Sequence, residues 1–94
     1  MSGQERVLVL SDDPQTRANL ARIVLELGRR PVVIGRAPVA LVHWVNPLSE
    51  SWIMRQARRA QRVVPVGEAA AEAIAGDPAV GWQCELEELR EALR

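Results

Sequence analysis

Few residues of this chain have the means to act chemically at one place. Ser11, Asp12 and Asp13 follow the apolar run Arg6-Val-Leu-Val-Leu10, and the single histidine, His43, sits inside a second apolar run. Two carboxylates, a hydroxyl and an imidazole brought together would make a pH-sensitive ion pair or a weak metal site with N and O ligands. Each residue also has a plainer reading. Asp13 stands immediately before Pro14, the order of a helix N-cap followed by a first-turn proline. A histidine in an apolar strand is ordinarily hydrogen-bonded and packed at the strand end. A second group, Arg55, Arg58, Arg59 and Arg62, falls on the outer side of a predicted helix. Guanidinium forks grip carboxylate and phosphate well, so this face suits an anion or an acidic partner. Its plainer reading is a solvated surface.

Composition removes several alternatives. All 12 basic residues are Arg, which excludes a Lys Schiff base or a Lys-built phosphate site. The one cysteine, Cys84, excludes an internal disulfide and a multi-Cys zinc site. It reads as a small apolar residue, because Glu85, Glu87 and Glu88 work against a reactive thiolate. A net charge of zero, with no aromatic residue among the arginines, argues against nucleic acid as a partner. One His, no Lys and no visible nucleophile–base pair point away from an enzyme. No motif calls for a cofactor or a resident metal. The N-terminal region lacks an apolar stretch of signal-peptide or membrane-span length, so the expectation is a soluble cytoplasmic protein without a membrane partner. With 94 residues, 48% of them apolar, residues 1–94 make one small domain.

The elements that must position these residues alternate between β-branched runs and helical patterns, as in a mostly parallel α/β sheet. Arg6–Leu10 is a continuous apolar strand of the kind buried on both faces. Leu20, Val24 and Leu27 recur at helical spacing beside Ile23, and Gly28 follows the helix end. Pro31–Gly35 and Val39–Trp44 are further strands. Asn46-Pro47 opens a helix to about Gln61, with Leu48, Trp52, Ile53, Ala57 and Ala60 as its inner side. Arg62–Val66 is a fourth strand, Glu68–Ala75 an Ala-rich helix stopped by Gly76, and Ala79–Gln83 a fifth strand. Glu85–Leu93 closes the chain with Leu86, Leu89 and Leu93 on one face. Core packing is the default role for Trp44, Trp52 and Trp82.

The segment Arg6-Val-Leu-Val-Leu-Ser-Asp-Asp-Pro-Gln-Thr-Arg17, followed by Leu20 to Gly28, resembles the start of bacterial response-regulator receiver domains. In that family the first strand ends in an acidic pair that opens the first helix. Val39–Trp44 followed by Asn46-Pro47 resembles the segment that carries the phospho-accepting aspartate before a proline. The stretch Ile74 to Arg90 resembles the family's closing strand, turn and Leu-rich helix. The resemblance implies a flavodoxin-like three-layer α/β sandwich. It does not carry the chemistry. Ser11 stands at the first acid position, with Asp12 at the second and Asp13 beside it. His43 stands at the nucleophile position, Val66-Gly67 near the hydroxyl position, and Gln83 at the lysine position. A divalent cation wants hard oxygen ligands, and a transferred phosphoryl needs its charge neutralised. The implied protein is a pseudo-receiver that escapes phosphorylation and acts as a protein-interaction module in bacterial signalling, a second copy of the chain being one candidate partner. The alternative is a small ligand- or metal-binding domain built on Ser11, Asp12, Asp13 and His43, where helix N-termini offer N–H groups to anions.

One departure from the family concerns the fold. Receivers place a helix between their second and third strands, and this chain has only Arg36-Ala37-Pro38 there. A parallel crossover ordinarily takes a dozen residues or more. Three readings follow: Pro31–Gly35 and Val39–Trp44 form an antiparallel hairpin, one of them is not a regular strand, or a neighbouring chain completes the sheet. The missing helix also predicts one uncovered apolar sheet face, the kind of surface that marks an interface.

Overall fold

A computed structural model describes residues 5–74, 81 and 85–93. The chain order is β1 (Arg6–Ser11), α1 (Pro14–Glu26), β2 (Arg30–Val32), β3 (Ala37–His43), a 3-10 turn (Pro47–Ser49), α2 (Glu50–Ala57), β4 (Ala60–Pro65), α3 (Glu68–Ala73) and α4 (Leu86–Ala92). The four strands form one sheet in the order β2-β1-β3-β4, and every pair is parallel. The expected fifth strand, with Trp82, Gln83 and Cys84, lies outside the described residues, as does Gly76.

Strand alternation sorts the core into two layers. Val7 and Val9 of β1, Val39 and Leu41 of β3, and Val64 of β4 face Leu20, Ile23 and Val24 of α1 and Leu89 and Ala92 of α4. Leu8, Leu10, Ala40 and Val42 point the other way, onto Ile53 and Ala57 of α2 and Ala70 of α3. Both faces of the sheet are therefore covered, which corrects the expectation of a bare face. α2 and α3 are short, but Ile53, Ala57 and Ala70 are fully buried and close the second layer together with Trp44.

The hairpin reading is also corrected. β2 and β3 do not pair; they flank β1 on opposite sides, both parallel to it. The short link works because β2 is only three residues long and pairs with the first half of β1 (Arg6↔Arg30, Leu8↔Val32). Ala37 lies level with Glu5, since Val39 is opposite Val7. The chain must travel back about 10 Å and across about 10 Å, roughly 14 Å in all. Five Cα steps from Val32 to Ala37 reach about 17 Å. Gly35, at φ 99, takes the left-handed backbone this reversal needs. A full-length β2 would have put the return out of reach.

α2 differs in phase from the single long helix expected after Pro47. A 3-10 turn occupies Pro47–Ser49, and the α-helix proper ends at Ala57. Ile53 and Ala57 turn to the sheet. Leu48 is 85% exposed and Trp52 42%, so neither belongs to the inner side, and Ala60 has passed into β4.

Candidate functional site

In this strand order the chain winds in opposite directions from β1 and from β3, and their carboxyl ends form the crevice where open α/β sheets ordinarily hold ligands. Ser11 and His43 are the last residues of these strands and are register partners. The parallel pairing thus joins two residues 32 positions apart, and the Ser11 Oγ and His43 Nδ1 atoms lie 2.8 Å apart. Ser11 is 1% exposed and His43 7%. The Ser11 hydroxyl also accepts the Asp13 N–H at 3.0 Å and lies 3.3 Å from the Asp13 carbonyl oxygen. Its single proton serves the closer acceptor if it points at His43 Nδ1, which leaves the imidazole proton on Nε2. This is the contact that sequence reading missed, and its signal is the alignment of the two strand ends.

A serine bonded to a histidine is also the geometry of an activated nucleophile. Here the hydroxyl is buried and already holds an N–H. The imidazole nitrogen it meets is Nδ1, and neither Asp12 nor Asp13 is hydrogen-bonded to the ring. The pair joins the ends of β1 and β3, and both of its residues are buried.

Both carboxylates are committed elsewhere. The two oxygens of Asp12 accept the Val45 and Asn46 N–H groups, each at 2.9 Å, and its carboxyl is also hydrogen-bonded by the Ser49 side chain. Asp12 so ties the β1–α1 corner to the loop after β3. Asn46 in turn accepts the Leu48 N–H at 2.9 Å and caps the 3-10 turn. Asp13 is the N-cap of α1 and accepts from the Thr16 N–H and hydroxyl. Arg17 donates to the Ser11 carbonyl oxygen at 3.2 Å.

The protonation states follow. Burial pushes the His43 imidazole below its usual 6.5, against the opposing pull of the Asp12 and Asp13 charges, so it is neutral at pH 7. Burial alone would raise Asp12. The Asn46 and Val45 N–H groups, the Ser49 hydroxyl and nearby His43 outweigh it and hold the carboxyl below its ordinary range. The Thr16 hydroxyl, ahead of an opposing desolvation and the Thr16 and Gln15 N–H groups, does the same for Asp13. Neutral imidazole beside ionised carboxylates that do not touch it is not the ion pair the sequence allowed. Among the described residues, no three His, Cys, Asp or Glu side chains converge where a metal ion could be held.

Gly67, near the expected hydroxyl position, is buried with φ 87, a conformation in which Ser or Thr would be strained. The arginines do not share one face. Arg58 and Arg59 sit beyond the end of α2 at the amino edge of the sheet, whereas Arg55 is exposed on α2 and Arg62 lies on β4. Among the described residues, no helix is long and apolar enough to cross a membrane. Comparison of the chain with protein families, with curated proteins and with solved structures finds no match.

Proposed function

We propose that this chain is a phosphorylation-independent pseudo-receiver, a non-enzymatic protein-interaction module of the bacterial cytoplasm. The observation that carries the proposal is the commitment of the strand-end crevice to internal bonds. His43 ends β3 bonded to Ser11, and Asp12 and Asp13 spend their charge on backbone N–H groups and the hydroxyls of Ser49 and Thr16. The strand order β2-β1-β3-β4, with helices on both faces, supports the receiver resemblance, since it is the beginning of the flavodoxin-like order. For the partner, Val45, Leu48 and Trp52 expose apolar surface within one short segment, Leu48 in the 3-10 turn and Trp52 on the outer side of α2.

Incubation with acetyl phosphate and Mg²⁺, followed by intact mass, tests the central claim: no adduct is expected. A hydroxylamine-labile phosphoryl group on Asp12 or Asp13 would overturn it. A second copy of the chain is the first partner to test, by sedimentation equilibrium of the native chain against Leu48→Ser.

A further inference from the structure

The opposite edge of the sheet carries a different chemistry. Arg6 opens β1, Arg36 precedes β3, and Arg58 and Arg59 precede β4. Because all strands run parallel, the four positions come to the same edge, where they line one cleft of about 600 Å³ together with Pro38 and Gln61. All four arginines are exposed. Among the described residues, none of the four has a carboxylate within ion-pairing distance, and no Asp or Glu lines the cleft. Three arginines elsewhere are ion-paired: Arg22 with Glu26 at 2.9 Å, Arg29 with Glu5 at 2.9 Å and Arg90 with Glu87 at 3.3 Å.

We infer that this cleft is a binding site for a small soluble molecule carrying two or more phosphate groups. Four guanidinium groups around one concavity repel one another unless an anion sits between them. Their planar forks match phosphate oxygens in pairs. The carboxyl end of α2 points to the same edge and opposes an anion, but its partial charge is at most about half a unit against four full positive charges. The volume falls in the range of small-molecule pockets, roughly 300–1,000 Å³. No aromatic residue lines it among the described residues, so recognition runs through the phosphates and not through a stacked base. A nucleic acid fits less well. Its backbone needs positive charge spread over a surface, and here four arginines converge on one concavity while Arg22, Arg29 and Arg90 are ion-paired. The site is independent of the strand-end crevice and of the reading proposed for it.

The test is isothermal titration calorimetry of the full chain with sodium tripolyphosphate at fixed ionic strength. The comparison variants are the double variant Arg36→Gln/Arg59→Gln and the control Arg22→Gln, each checked for fold by circular dichroism. The expected result is saturable binding at one site per chain, at least tenfold weaker in the double variant and unchanged in the control. Three results would overturn the inference: heat that never saturates, equal affinity in the double variant, or tighter binding of a short DNA duplex than of tripolyphosphate.

Discussion

The two edges of the sheet use polar residues in opposite ways. At the carboxyl edge, Ser11, Asp12, Asp13 and His43 each have a partner within the chain. At the amino edge, four like charges converge on a cleft with no carboxylate among the described residues. The first arrangement stabilises the protein; the second costs it some stability through repulsion. The contrast teaches where to look for function in a chain of this fold. At the crevice that topology recommends the polar groups are bonded within the chain, and four convergent arginines line the opposite edge.

Variants break this comparison in order of effect. His43→Ala leaves a cavity and strips Ser11 of its partner, and is expected to cost about 2–4 kcal/mol in urea unfolding. A loss below about 0.5 kcal/mol, the usual size for an ordinary surface change, would mean the carboxyl edge is not locked. Asp12→Ala frees the Val45 and Asn46 N–H groups, which water can partly satisfy, and should cost about 1–2 kcal/mol. Amide exchange at Val45 and Asn46 should accelerate with it, and unchanged exchange would contradict the tie between the two loops.

Acid should act in two steps. The folded-state pKa of His43 lies below 6.5, so its neutral form is favoured by folding. Stability is therefore full above about pH 6.5 and declines as pH falls below it toward the lower folded value. Asp12 and Asp13 are lowered from 3.8, so their contribution is present above that value and is lost as pH falls through the folded pKa values. His43→Gln should flatten the first decline and leave the second. A native-like slope between pH 5 and 7 in that variant would assign the first step to another group. The smallest effect belongs to the amino edge. Arg59→Gln removes one of the converging charges and should raise Tm slightly at low salt, with the gain vanishing at 1 M salt where the Debye length is about 3 Å. A lower Tm at low salt would mean Arg59 has a favourable partner and the edge is not repulsive.

Much of this could be read before any coordinates. The Asp13-Pro14 cap, the 3.6-residue spacing of Leu20, Val24 and Leu27, and the unbroken apolar run of β1 are local signals whose physics needs no tertiary context. They fix α1 and a doubly buried first strand. What the sequence misled on was coupled to length and phase. Trp52 and Ile53 are neighbours in α2, about 100° apart around its axis, so Trp52 turns outward once Ile53 and Ala57 face the sheet, and Leu48 lies in the 3-10 turn before the helix. The β2–β3 link looked too short for a parallel sheet because β2 was read as five residues. At three residues it spans the return.

The sequence by itself determined that the chain is an α/β sandwich, that it has no lysine chemistry, and that Asp13 caps a helix, since composition and local periodicity decide these. Only the tertiary structure decided that His43 bonds Ser11 and not a carboxylate, that Asp12 clamps the loop after β3, and that Arg6 and Arg36 meet Arg58 and Arg59. The reason is register. Parallel pairing brings together residues that start or end different strands, and which of them become neighbours depends on strand order and offset, which no local stretch of sequence encodes.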